Sequence, residues 1–190
     1  LDVGTFSWQK CIGGEAGHGM LVLSPRAVER INCYNPPWPI PKLFQLRKNG
    51  KLNFDIFSGI TINTPSMLCV EDFLDALNWT KEVGGLAALI SKSKNNLNLI
   101  KNWILDSHWA DFLCEDDNNL SSTSICLKFV DPKIIELPLE TKNNIEKNIV
   151  KLLEEHEVAF DIGSYRSAPP GFRIWGGPTV DSNDVKKLLP

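Results

Sequence analysis

The sequence lacks several patterns that would place it in a familiar class at once. No apolar run is long enough to span a membrane, and no basic segment followed by an apolar stretch marks a secretion signal. The net charge is −3, so no basic excess favours a nucleic acid or an anionic membrane as the main partner. The P-loop pattern G-x-x-x-x-G-K-S/T is missing as well. We therefore expect a cytoplasmic protein that binds neither nucleic acids nor membranes.

Patterns of metal binding and of disulfide frameworks are also missing. The five cysteines are an odd number without a C-x-x-C pair, which favours reduced, mostly buried thiols. The three histidines, His18, His108 and His156, are far apart and form no ligand motif, so we expect each to be structural and no metal to be bound. What the chain has is 190 residues, 43% of them hydrophobic, which is enough for one domain or one and a half.

The opening of the chain is its most informative stretch. Residues 3–7 suit a strand, and Lys10 follows where that strand gives way to a loop. The loop is rich in glycine, with Gly13, Gly14, Gly17 and Gly19. If Lys10 is partly desolvated beside Trp8 and Ile12, some of its amine is unprotonated and can attack a carbonyl, as a Schiff-base lysine does. The spacing alone also fits a solvated surface lysine or an anion contact.

The rest of the first half alternates regular elements with an irregular arm. Residues 19–23 predict a buried strand, followed by a helix with Ser24 as N-cap and Pro25 at its first position. Four prolines in residues 35–41 exclude helix and central strand there, and residues 47–51 predict a hairpin turn. We expect this arm to pack on a partner subunit, which would cover its aromatic side chains.

Hydroxyl and amide side chains precede the next helix. Residues 67–79 have apolar side chains at helical spacing, with Thr64 or a neighbour as N-cap. A helix N-terminus is also a ready anion site. A longer helix is predicted over residues 85–106.

The second half predicts an α/β sandwich. Strands are expected at residues 109–114, 123–130, 158–162 and 172–175, and helices at 142–156 and 181–189, the latter with Asp181 as N-cap. Arg173 lies inside an apolar strand, where an unpaired charge is costly. Its residue type leaves two alternatives open, a salt bridge to one of the acids or a bound anionic substrate.

Three separated motifs resemble one enzyme family. They are Ser7-Trp8-Gln9-Lys10 with its Gly-Gly tail, Thr61-Ile62-Asn63-Thr64-Pro65-Ser66, and Gly171-Phe172-Arg173-Ile174-Trp175-Gly176-Gly177. In this order they resemble the phosphoserine aminotransferases, class V enzymes of fold type I that depend on pyridoxal 5′-phosphate. Because Leu1-Asp2-Val3 reads as the middle of an element and the chain stops inside a helical pattern, we expect the C-terminal half of a longer enzyme.

The resemblance implies an α/β fold in two parts. Residues 1–88 would be the C-terminal portion of the large cofactor-binding α/β domain with its dimer arm. Residues 89–190 would be the smaller C-terminal α/β sandwich domain, with a truncated last helix.

The resemblance also implies roles for single residues. Lys10 would be catalytic and would bind the cofactor, with Gln9 contacting the cofactor phosphate. Asn63 and Thr64 would reach the phosphate in the neighbouring subunit of a homodimer, so that two chains share each active site. Arg173 would bind the α-carboxylate of the substrate. Arg166 would help to hold the substrate's phosphate, although the chain has Tyr165-Arg166 where familiar members have His-Arg, which puts the phosphate specificity in doubt.

The implied reaction is a transamination in serine biosynthesis. It would convert 3-phosphohydroxypyruvate and glutamate into phosphoserine and 2-oxoglutarate, so the partners are small amino acids and 2-oxo acids. An alanine:glyoxylate type of class V enzyme is an alternative. A cysteine desulfurase is disfavoured, because no cysteine lies in a recognisable mobile loop. A catalytically silent dimerising module is the third possibility.

Overall fold

The computed structural model describes residues 1–189. The chain forms two compact units, Leu1–Trp79 and Thr80–Pro190. The domain boundary expected from the sequence, between residues 88 and 89, refers to the domains of a whole enzyme and stays a prediction. Among the described residues, no helix combines the length and the apolar character needed to cross a membrane.

The first unit consists of two short hairpins with helices between and after them. Its elements are β1 (Val3–Ser7), β2 (Gly19–Leu23), α1 (Pro25–Cys33), β3 (Arg47–Lys48), β4 (Lys51–Leu52) and α2 (Met67–Glu82), the last of which runs past the end of the unit. Strand β1 pairs antiparallel with β2, and β3 pairs antiparallel with β4. The strands predicted at residues 3–7 and 19–23 and the hairpin at 47–51 are therefore confirmed.

The start of α1 is fixed by its cap and by the N-terminal aspartate. Ser24 Oγ accepts a hydrogen bond from the backbone N–H of Ala27 at 3.1 Å, as predicted for an N-cap. Asp2 accepts hydrogen bonds from Ser24 Oγ at 3.1 Å and from Arg26 Nε at 2.8 Å. The Arg26 guanidinium holds the pKa of Asp2 below its ordinary value. These bonds tie the residue before β1 to the first turn of α1.

The structure corrects one expectation for the first unit and decides a second that the sequence left open. Strand β2 is not buried, since 57% of Val22 and 41% of Met20 are exposed. The reason is that β2 belongs to a two-stranded ribbon, which cannot enclose a strand as a larger sheet does. For α2 the sequence left Thr64 or a neighbour open as N-cap, and the cap is Ser66, because Ser66 Oγ accepts from the N–H of Cys69 at 3.4 Å.

The second unit is an antiparallel sheet packed with helices. Its elements are α3 (Gly85–Asp106), β5 (Ala110–Phe112), β6 (Ser124–Phe129), α4 (Pro132–Ile135), α5 (Leu139–Glu155), β7 (Gly171–Trp175) and α6 (Ser182–Leu188). The strand order is β5-β6-β7, with both neighbouring pairs antiparallel. The predicted helix over residues 85–106 and the N-cap Asp181, which accepts from the N–H of Asn183 at 2.8 Å, are confirmed.

One face of this sheet carries the core. Along β6 the side chains of Ile125, Leu127 and Phe129 are buried while their neighbours are less so, which is the alternation of a strand with one covered face. The core also includes Ile100 of α3 and Phe172 of β7. Burial of these apolar side chains is the main stabilising contribution in the unit.

The strand predicted at residues 158–162 is wrong. The adjacent Gly163 forms an isolated bridge to Phe172, and the N–H of Arg173 donates to the carbonyl of Ile162 at 2.8 Å. Glu157 and Asp161 have φ angles of 54° and 52°. This left-handed backbone on either side of the apolar residues prevents a regular strand.

Candidate active site

Lys10 lies in the turn that follows β1, as the sequence predicts. Gln9 and Lys10 are both exposed, so the partial desolvation expected for Lys10 is not found. None of the ion pairs among residues 1–189 involves Lys10. The structure therefore presents its primary amine at the surface, unpaired with any carboxylate of residues 1–189.

The backbone around Lys10 is a tight loop held by its own hydrogen bonds. The N–H of Gly13 donates to the carbonyl of Lys10, and the N–H of Gly14 donates to the carbonyl of Trp8, each at 3.0 Å. Gly13 and Gly17 have φ angles of 78° and 93°, which side chains other than glycine rarely adopt. The tight turning expected from the glycines is confirmed.

A stack of three rings anchors this loop. Trp8 is buried and lies parallel to Phe73 of α2, with ring centroids 4.3 Å apart and planes inclined by 6°. His18 also stacks on Trp8, with ring centroids 5.2 Å apart. Trp8 thereby fixes the backbone two residues before Lys10 against α2. The sequence gives no sign of this stack, because Phe73 is 65 residues away from Trp8 along the chain.

Two further bonds connect the glycine-rich loop to the start of α2. His18 Nε2 accepts from the N–H of Ser66 at 3.1 Å, and Asp72 Oδ2 accepts from the N–H of Glu15 at 2.8 Å. His18 is thus structural in this chain, as expected. It also joins the loop of Lys10 to the segment that contains Asn63 and Thr64.

Asn63 and Thr64 line an open cleft of about 850 Å³ in the first unit. Both side chains are exposed, and His18 lies in the same lining. Lys10 and Gln9 are not among the lining residues. The structure therefore brings Asn63 and Thr64 together but does not place them with Lys10 in one cleft of this chain.

Cationic side chains add positive charge to this cleft. Arg47 Nη1 and Nη2 donate to the backbone carbonyls of Tyr34 and Asn32, each at 3.1 Å, so this guanidinium is committed to the arm. Lys48 pairs with Asp55 at 3.1 Å. Lys42 lines the cleft as well and takes part in none of the ion pairs among the described residues. A cleft with an amide, a hydroxyl and these cations suits an anion.

The structure decides only in part between the two alternatives for Arg173, a salt bridge and a bound anionic substrate. On β7 its side chain is 31% exposed, and Nη2 pairs with Asp161 at 3.1 Å. Asp161 is 94% exposed, so this is a surface ion pair of small stabilising value that another carboxylate can displace. Arg173 Nε is buried and without a hydrogen-bond partner among residues 1–189. Arg173 therefore retains an N–H donor, at Nε, for binding an anion.

Arg166 lies at the surface of the loop that leads into β7. It is exposed within a turn closed by the N–H of Ala168, which donates to the carbonyl of Tyr165 at 2.8 Å. Tyr165 is also exposed, with its ring 6.0 Å from the guanidinium carbon of Arg173. The two predicted substrate arginines therefore belong to one loop and strand of the second unit. Over residues 1–189, no group of His, Cys, Asp or Glu side chains has the arrangement of a metal site.

Comparison with curated proteins finds relatives of one kind. No family model matches the chain. The phosphoserine aminotransferase of Methanosarcina mazei is 50% identical over 188 residues, which are 99% of this chain and 48% of that protein. Along its whole length, this chain is similar to the phosphoserine aminotransferases. The resemblance drawn from the three motifs is confirmed, and the chain spans about half the length of the curated relatives it matches.

Solved structures of the same group share the fold. The phosphoserine aminotransferase of Cytophaga hutchinsonii matches with a TM-score of 0.74 and 20% identity, over 100% of this chain and 48% of that one. A phosphoserine aminotransferase from Trichomonas vaginalis, described as bound to pyridoxal phosphate, matches with a TM-score of 0.73 and 17% identity, over 97% and 46%. The predicted α/β fold is confirmed, and the chain shares it with about half of each of these two structures.

Proposed function

We propose that the protein carrying this chain is a pyridoxal-phosphate-dependent phosphoserine aminotransferase, with this chain as its C-terminal half. It would transfer an amino group between glutamate and 3-phosphohydroxypyruvate in serine biosynthesis, in the cytoplasm. The observation that carries the proposal is the 50% identity to the Methanosarcina mazei enzyme over 188 residues.

The side chains present are of the kinds that pyridoxal phosphate needs. An aldehyde is held by a primary amine, and Lys10 offers one that is exposed and free of ion pairs among the described residues. A phosphate is held by amide, hydroxyl and cationic groups, which Asn63, Thr64 and Lys42 supply in one cleft. Asp2 is engaged by Arg26 and Ser24, so the carboxylate that would contact the pyridine nitrogen is expected elsewhere in the protein.

Each residue then has a defined task. Bound pyridoxal phosphate supplies a ring that accepts the negative charge left when the proton leaves Cα of the amino acid. Lys10 Nζ would hold the cofactor and would then accept that proton as general base. Arg173 would bind the substrate carboxylate through its guanidinium in place of Asp161 and would thereby fix the orientation of the amino acid. Arg166 would pair with the substrate phosphate, and Gln9 with that of the cofactor.

The proposal includes a homodimer with shared active sites. It is supported by the separation of Lys10 and Gln9 from the cleft of Asn63 and Thr64 within one chain. The test mixes two inactive proteins, Lys10→Arg and the double variant Asn63→Ala/Thr64→Ala. In a shared-site heterodimer both defects fall into one site, the other site is intact, and activity returns. Activity that stays absent in verified heterodimers would contradict shared sites.

The reaction itself is tested with the whole protein that carries the chain. We expect 2-oxoglutarate to form from glutamate and 3-phosphohydroxypyruvate, and Lys10→Arg to lower the rate by several orders of magnitude because the general base stays protonated. Lys147→Arg on the exposed face of α5 is the matched control and should leave the rate unchanged. Amino transfer only from alanine to glyoxylate would instead assign another class V activity, and near-normal turnover of Lys10→Arg would exclude the proposed role of Lys10.

A further inference from the structure

A buried carboxylate without a role in the proposed reaction lies beneath the predicted substrate loop. Glu146 of α5 is 8% exposed and forms none of the ion pairs among residues 1–189. Its position within the apolar stripe of an otherwise polar helix sets it apart from the exposed acids of α5. A buried charge of this kind is tolerated only where hydrogen bonds satisfy it.

The hydrogen bonds of Glu146 go to both ends of one loop. Oε1 accepts from the N–H and from the Oγ–H of Ser164, each at 2.8 Å. Oε2 accepts from the N–H of Gly171 at 3.1 Å. Gly171 opens β7 so close to β6 that an added Cβ would lie 2.0 Å from the carbonyl oxygen of Leu127. Gly171, the far end of the loop, is therefore fixed to the sheet, and Glu146 ties Ser164, the near end, to Gly171.

We propose that Glu146 is a positioning residue that clamps the loop 164–171 and thereby sets where Arg166 stands relative to Arg173. The inference rests on the proposed function, because these two arginines are the predicted ligands of the substrate's phosphate and carboxylate. Each substrate has its own distance between its phosphate and its carboxylate. By fixing Arg166 relative to Arg173, the clamp on both ends of the loop determines specificity for a phosphorylated amino acid.

The variant Glu146→Gln tests the clamp with minimal change of shape. Gln has one acceptor oxygen, so its amide nitrogen must face either the N–H of Ser164 or that of Gly171. Either way one backbone N–H loses its acceptor and faces another donor. We expect hydrogen exchange at that amide to be at least tenfold faster than in the parent protein. Glu154→Gln, which removes an exposed charge from the same helix, should change neither amide.

The second test measures the kinetics of the whole protein with two substrates. Glu146→Gln should raise KM for O-phospho-L-serine at least tenfold with kcat little changed, while KM for 2-oxoglutarate, which has no phosphate, rises less. Ser164→Ala removes one of the three bonds and should give a smaller change in the same direction. Unchanged exchange at both amides would overturn the clamp, and faster exchange with unaltered KM values would overturn its role in specificity. A parent protein without any transaminase activity would contradict the proposed function, and the exchange data would still decide the clamp.

Discussion

The ring stack of Trp8 makes the sharpest prediction about how the loop of Lys10 is held. Replacing Trp8 by alanine removes a side chain that is only 8% exposed. An indole of this size buries roughly 150–250 Å², which at about 25 cal/mol per Å² corresponds to about 4–6 kcal/mol. Alanine keeps a small part of that burial, so we expect the free energy of unfolding of the first unit to fall by about 3–5 kcal/mol.

Trp8→Phe is the matched variant. A phenyl ring can keep the parallel stack on Phe73, and the change also removes the indole Nε1–H, which is buried without a hydrogen-bond partner among the described residues. We therefore expect it to cost only about 1–2 kcal/mol.

Hydrogen exchange at the Gly14 amide reads out the loop directly, because this N–H donates to the carbonyl of Trp8 at 3.0 Å. A loss of about 3 kcal/mol corresponds to roughly 150-fold faster exchange through opening of the loop. Trp8→Ala should reach or exceed this factor, while Trp8→Phe should stay near or below about thirtyfold. Equal exchange rates in the two variants would refute the conclusion that the stack holds this loop.

Two further predictions concern polar groups away from Lys10. Asn96 of α3 is 0% exposed, and its Nδ2 donates to the carbonyls of Gly176 and Val180, each at 3.1 Å. Asn96→Asp should therefore lower the free energy of unfolding at neutral pH by about 3–5 kcal/mol. Urea unfolding measures this loss, and a loss no larger than that of the exposed Asn98→Asp would contradict the prediction. Because Arg26 lowers the pKa of Asp2, this ion pair stabilises the folded chain at pH values above the ordinary aspartate pKa. The stabilisation is lost as the pH falls through the lowered pKa that Asp2 has in the folded chain. Carboxyl titration by NMR should show the Asp2 pKa rising in Arg26→Gln, and an unchanged pKa would exclude Arg26 as its cause.

Local signals account for what the sequence predicted well. Ser24-Pro25 marks the start of α1 and Asp181 that of α6, because a cap and its helix are neighbours along the chain. The helix over residues 85–106 follows from its apolar periodicity. The placement of Lys10 after β1 follows from the hydroxyl and aromatic residues of the strand and from the glycines behind them.

What the sequence did not predict depends on distant contacts and on unusual backbone. Residues 158–162 have the composition of a strand, and the positive φ of Asp161 leaves only a weak signal, since aspartate adopts it more readily than most residues but does so rarely. The partnership of Trp8 with Phe73 is set by tertiary packing. Asn96 and Glu146 did leave a signal, since each is a polar residue within an apolar helical stripe. A polar residue at such a position indicates hydrogen bonds to groups that are distant along the chain.

The most direct test of the account is to locate the lysine that takes up pyridoxal phosphate. The protein is mixed with the cofactor and reduced with borohydride, which makes the attachment permanent, and the labelled peptide is identified by mass spectrometry. We expect the label to be concentrated on Lys10 and to be abolished in Lys10→Arg. Label spread over surface lysines in the whole protein, or concentrated on another lysine, would contradict the assignment of Lys10 as the residue that holds the cofactor.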